Sequence, residues 1–200
     1  MKTAALVAAL STSCSLGGNP PQYDYYVLTP PEAPPRVADQ PQNSPLVLVI
    51  APVELPSYLN RDQVVTRTGE YSIVYSKRDR WAEPLNEAFE GILRQCLARR
   101  LSPQGISVQA RRIGLVPEYT LQVELLRFER HDSHHVELWA RWTLRSKAGS
   151  TRGNEFRIHE ATASEDVRGA AASLSHAIDR LSGEVAAATR GVELAAPQAE

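Results

Sequence analysis

The stretch YTLQVELLRFERHDSHHVELWARWTL, residues 119–144, decides the fold. Apolar and polar side chains alternate on both sides of the short polar segment HDSH. The apolar positions are Tyr119, Leu121, Val123 and Leu125, then Val136, Leu138, Ala140, Trp142 and Leu144. A period of two gives each run one buried face, as expected of strands. The segment between them predicts a tight antiparallel hairpin.

The strands around this hairpin follow from the same pattern. Leu126 and Phe128 fall out of the alternation, so we expect a bulge or a second covered face there. Downstream, NEFRIHEA, residues 154–161, carries Phe156 and Ile158 on one side and predicts a third strand of an antiparallel meander.

Four further strands are predicted upstream. PLVLVIAPVELP, residues 45–56, is almost continuously aliphatic and bounded by prolines, which indicates a strand covered on both faces at the centre of the sheet. QVVTRTGEYSIVYSK, residues 63–77, predicts a hairpin with strands at 63–67 and 71–76. YDYYVLTP, residues 23–30, is strand-prone and predicts a short edge strand near 24–28.

Two long helices are predicted from spacings of three and four. One spans about 80–101, with Pro84 in its first turn and Cys96 on its buried stripe. The other runs from Val167, with Ser164 as N-cap and Glu165 and Asp166 opposing its positive end. Its apolar stripe also fits a coiled-coil seam, but its many alanines favour packing on a sheet.

These elements predict one domain at 46–192. Its fold class is α/β (α+β-like): a mixed, largely antiparallel β-sheet flanked by two long α-helices. Two hundred residues are enough to bury one core. Residues 193–200 are predicted to be a disordered tail.

The charge balance disfavours nucleic acid and acidic membrane surfaces as partners. Lys and Arg number 22 against 23 Asp and Glu, a formal net charge of −1. Arg99-Arg100 and Arg111-Arg112 are the local basic clusters, and without interleaved aromatic residues we interpret them as solvated faces.

The amino terminus has the features of an export signal. AALVAAL, residues 4–10, is too short to cross a bilayer. Small residues directly before Cys14 resemble the bacterial lipoprotein signal, in which residues 1–13 are removed and the cysteine is acylated, palmitate being one such chain. Ser15, in place of the Asp that retains enteric lipoproteins in the inner membrane, favours the outer membrane. The alternative is a soluble-secretion signal with an incidental cysteine.

The segment that follows is rich in proline. Eight of the 14 prolines fall within residues 19–45, so we interpret residues 14–45 as the lipidated cysteine and an extended tether that contains the short edge strand.

The stretch from residue 51 to 101 resembles the ABC-transport auxiliary lipoprotein family. The resemblance rests on Leu55-Pro56, Tyr58-Leu59, Arg61, QVVTR at 63–67, WAEPL at 81–85 and YYVLTP at 25–30. It implies a mixed sheet flanked by helices. It also implies a non-catalytic outer-membrane lipoprotein, facing the periplasm of a Gram-negative bacterium. Such a protein works with an MCE-domain periplasmic protein and ABC transporter components in intermembrane lipid transport.

Four residues within this stretch are predicted to bind a partner: Tyr58, Arg61, Arg67 and Trp81. They lie in or beside predicted turns, and Arg, Tyr and Trp concentrate energy in binding interfaces. The partner is an MCE protein or another copy of the chain. The alternative is structural: Trp81 plugs the start of the helix, and the two arginines pair with Asp62, Glu70 or Asp79.

The sequence shows no catalytic motif. It contains no glycine-rich phosphate loop, G-x-S-x-G, C-x-x-C or H-E-x-x-H. His131, Asp132, His134, His135 and His159 are a weak metal candidate, which we interpret as a solvated polar turn. We therefore predict no enzyme, no metal and no cofactor apart from the lipid on Cys14. A structural outer-membrane lipoprotein and, less favoured, a secreted hydrolase remain alternatives.

Overall fold

A computed structural model describes residues 21–31, 46–132 and 134–193. In these ranges eight strands and two long helices follow one another. In chain order they are β1 Asp24–Tyr26, β2 Leu46–Ile50, β3 Gln63–Gly69, β4 Ser72–Trp81, α1 Leu85–Leu101, β5 Ile106–Ala110, β6 Tyr119–His131, β7 His135–Ser146, β8 Thr151–Ala161 and α2 Val167–Glu193. The predicted signal peptide, Cys14, most of the tether and the tail beyond 193 lie outside the described residues.

The sheet is built on β6, its longest strand. One edge of β6 pairs antiparallel with β7, and β7 pairs with β8. Three successive segments share the other edge of β6. First, β2 pairs parallel with Tyr119–Leu121, and residues 51–54 continue with backbone hydrogen bonds as far as Leu125. Then β3 pairs parallel with Arg130–His131. Beyond these, β5 lies outside β2, and β4 and β1 lie outside β3.

The predicted fold class is confirmed. The sheet is mixed, with the long β6–β7–β8 meander and the β3–β4 hairpin antiparallel, and it is flanked by the two helices. The predicted bulge is also confirmed, because the β6–β7 register shifts between Leu125 and Arg127. β2 lies between β5 and β6, as predicted for a central strand, and β1 is the short strand expected near 24–28.

The core lies between the helices and one face of the sheet. The apolar stripe of α1 is buried, and Phe89 meets Phe128 of β6 edge to face at 5.4 Å. Cys96 is fully buried, and burial raises the pKa of its thiol to about 12, so the thiol is an inert core group. On α2 the buried positions include Leu174, Ile178 and Leu181, which confirms packing on the sheet.

The two helices are joined by charge as well as by apolar contact. Arg99 and Arg100 both bind the Asp179 carboxylate, at 2.6 and 2.8 Å, and Arg100 also donates to Ser182 at 2.9 Å. The interpretation of this arginine pair as a solvated face is therefore wrong, since it forms a helix–helix contact. Neither helix in the described ranges is long and apolar enough to span a membrane.

Three local predictions need correction. α1 begins at Leu85 and not near residue 80, because hydrogen bonds from Trp81 to Asp62 and from Ala82 to Tyr26 keep the chain extended up to Pro84. α2 is capped by Asp166, whose carboxylate accepts from the Gly169 amide at 2.8 Å, while Ser164 only donates to Asp166. Strand β5 was not predicted at all.

Candidate functional site

The loop of residues 55–62 carries two of the predicted partner-binding residues, Tyr58 and Arg61. It also carries Asp62, one of the acidic residues that the structural alternative pairs with an arginine. The loop leaves β6 at its bulge, because the Leu125 amide donates to Glu54 at 2.7 Å and the next pairing along this edge of β6 is with β3. The extra residue of the β6 bulge therefore lies where the loop leaves the edge of β6.

The loop is held by a buried carboxylate. Glu129 of β6 is 2% exposed, and each of its oxygens has a partner: the Tyr58 hydroxyl donates at 2.6 Å and the Arg67 Nε donates at 2.5 Å. Burial and the bond to Glu129 raise the pKa of Tyr58. Burial acts to lower the pKa of Arg67, but its bond to Glu129 outweighs this and the pKa is raised.

A second buried carboxylate lies directly across the β6–β7 ladder. Glu137 is also 2% exposed, and it accepts from Arg127 at 2.8 Å and from Arg157 at 2.7 Å. Burial opposes its ionisation, but the two arginines together hold the pKa of Glu137 below its ordinary value. The same guanidinium groups lie over the ring of Trp139.

A surface groove of about 360 Å³ opens beside the loop. Its floor includes Trp81 and Leu85, which are 6% and 3% exposed. Asp62 is fixed at one wall, since its carboxylate pairs with Arg80 at 3.1 Å. We call this the 60–62/81–85 groove; it is lined by Asn60, Arg61, Asp62, Trp81, Ala82, Glu83, Pro84 and Leu85.

Arg61 is the exposed cation of this groove. Its guanidinium lies 5.0 Å from the centroid of the Tyr75 ring, and in the described part of the chain it contacts no carboxylate. A cation on an aromatic ring beside an apolar floor can receive an acidic and apolar segment of another protein.

The structure divides the four predicted residues into two pairs. Tyr58 and Arg67 meet on Glu129, whereas Arg61 and Trp81 line the groove. The acidic partners named in the structural alternative are wrong: Arg67 pairs with Glu129, and Arg80 takes Asp62. The sequence did not predict the roles of Glu129 and Arg80. Both are polar residues of strands, and the strand pattern does not show which polar side chain a loop distant in sequence will contact.

The histidines of the turn are largely exposed, as interpreted from the sequence: the side chains of His131, His134 and His135 are 40%, 59% and 40% exposed. His159 stacks on His135 at 4.8 Å and meets His131 edge to face at 5.2 Å, while His134 lies apart beside Glu165. Across residues 21–31, 46–132 and 134–193, no three His, Cys, Asp or Glu side chains are placed to hold a metal ion.

The space between the sheet and α2 is filled near the tryptophans. Trp142 is 3% exposed, and its Nε1–H donates to Glu184 of α2 at 2.9 Å. This contact joins β7 to α2 at the position of Trp142.

Comparison with known proteins gives a family and a fold. The model of the ABC-type transport auxiliary lipoprotein component matches residues 26–186. No match was found among curated proteins. A crystal structure of an uncharacterized protein aligns with a TM-score of 0.70 at 20% identity, over 84% of this chain and 99% of the other. A Xanthomonas campestris protein of the DUF330 family aligns at 0.67 and 17%, over 88% and 100%. At these identities the two structures support the fold alone.

Tyr58→Phe tests the bond to Glu129. At neutral pH we expect a loss of about 2 kcal/mol in the free energy of unfolding, since the hydrogen bond is to a charged group. The folded pKa lies above the ordinary value of 10.0, so the contribution is complete below pH 10 and is lost as the pH rises further. Denaturant unfolding should therefore show a smaller alkaline loss for Tyr58→Phe than for the unmodified chain. Tyr71→Phe, at a 93% exposed position, is the control; equal alkaline losses for Tyr58→Phe and the unmodified chain would contradict the assignment.

Proposed function

The chain belongs to the ABC-type transport auxiliary lipoprotein family, and from this premise we propose that it is a non-catalytic accessory subunit of a lipid-transporting ABC system. In this proposal acyl chains on Cys14 hold it at the periplasmic face of the outer membrane of a Gram-negative bacterium, where it contacts an MCE-domain protein. The observation that carries the proposal is the family match, which runs from Tyr26, the last residue of β1, through β8 and most of α2.

The proposed anchor lies close to the folded domain. Cys14 precedes Asp24, the first residue of β1, by ten positions, and ten residues reach at most about 35 Å. β1 is bonded to β4, and the Thr29 amide donates to Ser175 of α2 at 3.2 Å. The reach of the domain from the membrane is therefore set by residues 14–23 and not by the whole predicted tether.

Several chains on one cysteine suit a permanent anchor. Each buried methylene contributes about 0.8 kcal/mol, so a diacylglyceryl group with an amide-linked chain holds far more firmly than a single chain. Anchoring confines the domain to the membrane surface and so raises its effective concentration near a partner at that surface. A modest contact surface is then sufficient for binding.

The proposed contact surface is the 60–62/81–85 groove. Its lining overlaps the segments on which the family resemblance rests, Arg61 and WAEPL at 81–85. Its apolar floor would take a side chain of the MCE-domain partner, and Arg61 would meet an acidic residue beside it. Tyr58 supports this surface, because its bond to Glu129 holds the loop on β6, and Arg67 of β3 pairs with the same carboxylate.

Cys14→Ala tests the anchor. We expect the protein to move from the membrane fraction to the soluble periplasmic fraction, because no acyl chain can be attached. Cys96→Ala is the matched control, since that cysteine is buried in α1 and should not affect fractionation. Recovery of Cys14→Ala in the membrane would remove the lipid anchor from the proposal.

Arg61→Glu tests the groove. In cells treated with a cross-linker, we expect recovery of the MCE-domain protein with this chain to fall several-fold, because the charge facing its acidic segment is reversed. Trp81 is a poor test position, as its side chain belongs to the core. Arg112→Glu, the same change at another exposed arginine, should leave recovery unchanged. Undiminished recovery with a normally folded Arg61→Glu protein would favour the structural-lipoprotein alternative.

A further inference from the structure

Strand β8 presents a long open edge. It has 11 residues and pairs with β7 on one side, and across the described ranges no other strand pairs with it. Most of its side chains are exposed. The other open edges are shorter: β1 has three residues, β5 has five, and β4 is uncovered only over residues 72–78, because β1 pairs with its last three residues. An edge of this length has a row of backbone donors and acceptors available to another strand.

The geometry of two-fold pairing restricts how this edge can meet a second copy. In an antiparallel pair, residues directly opposite each other lie on the same face of the sheet. Two copies related by a two-fold axis must therefore pair about a central residue of β8. A residue that lies n positions before this centre then faces the residue that lies n positions after it in the partner.

The charges of β8 select one such register. The charged residues are Arg152, Glu155, Arg157 and Glu160. Centring on Phe156 sets Glu155 opposite Arg157 and Arg152 opposite Glu160, and symmetry repeats both pairs. Within Thr151–Ala161, every other residue-centred register either opposes like charges or opposes no charges at all. Opposite charges facing each other across a ladder stabilise it, and like charges destabilise it.

Within the chain, two of these charged groups have little or no ion pairing and two are already paired. Arg152 has no ion-pair partner in the described residues, and Glu155 has Arg141 at 3.9 Å. Arg157 and Glu160 already bind Glu137 and Arg180 within the same chain, which fixes the direction of their side chains. At the centre, half-buried Phe156 would meet its own symmetry mate.

We propose that two copies of this chain associate through β8, antiparallel and centred on Phe156, so that the two sheets become continuous. The partner is a second copy because the charge pattern is complementary to itself. Exposed charges also serve in many proteins to block edge pairing. Exchanging the two charges of one cross-edge pair distinguishes pairing from blocking. If the charges only block association, restoring an opposite-charge pair cannot restore it.

The test uses sedimentation equilibrium of the full mature chain in density-matched detergent. We expect a dimer. Arg152→Glu places two pairs of like charges across the edge and should raise the dissociation constant about tenfold. Arg152→Glu combined with Glu160→Arg restores opposite charges across the edge. Both changes are made in an Arg180→Glu background, which keeps residue 160 paired within its own chain, and should return the constant to within about threefold of the Arg180→Glu value. Arg112→Glu, the same change outside β8, should have no effect.

Two results would overturn the proposal. One is a monomer at every concentration studied. The other is an assembly whose dissociation constant Arg152→Glu leaves unchanged, or that the double variant fails to restore. Thermal unfolding of each variant checks the fold, and Arg152 is exposed, so its replacement should not alter it. The 60–62/81–85 groove lies on the β3–β4 side of β6, so failure here leaves the proposed function untouched.

Discussion

The burial of the Glu129 carboxylate is the constraint on which the candidate site depends. A charge that is 2% exposed must have partners, and here they come from the loop through Tyr58 and from β3 through Arg67. Lifting the loop from β6 would remove the Tyr58 hydroxyl from this carboxylate, and a hydrogen bond to a charged group contributes about 1.5–3 kcal/mol, so this bond holds the loop on β6. The position of the loop then sets the wall of the groove at Asp62, whose carbonyl accepts from the Trp81 amide and whose carboxylate pairs with Arg80.

The two faces of the β6–β7 ladder differ in chemistry: one is apolar and the other carries buried ion pairs. Toward the helices, Phe128 and Trp142 belong to the apolar core that α1 and α2 close. On the opposite side of the strands, Glu129 and Glu137 each bind their own pair of polar partners. Ion pairs of this kind contribute geometry more than net stability, because desolvation offsets much of their attraction. The apolar face therefore supplies the stability of the domain, and the polar face fixes where the recognition elements lie.

Local periodicity predicted those parts of the fold that bury one continuous face. The meander of β6, β7 and β8, its bulge and the stripe of α2 are of this kind, because their burial repeats every two or 3.6 residues. β5 was missed because Ile106–Ala110 is short and takes its place by parallel pairing with distant β2. The start of α1 was misplaced because contacts to Asp62 and Tyr26, far away in sequence, keep residues 81 and 82 extended. At the site, residue type singled out Tyr58 and Arg67 as partner-binding residues, which stays a prediction; their shared contact with Glu129 follows only from the loop crossing to β6.

Amide hydrogen exchange of the loop in Glu129→Gln tests this constraint most directly. Glutamine keeps the shape of the side chain but removes the charge that Arg67 and Tyr58 compensate. The account predicts that the Leu59, Asn60 and Arg61 amides, which bond to carbonyls within the loop, exchange more than about tenfold faster, while the amides of α1 keep their protection. Glu124→Gln, at an exposed position of the same strand, should leave the loop unchanged. Unaltered protection of residues 59–61 in Glu129→Gln would contradict the account.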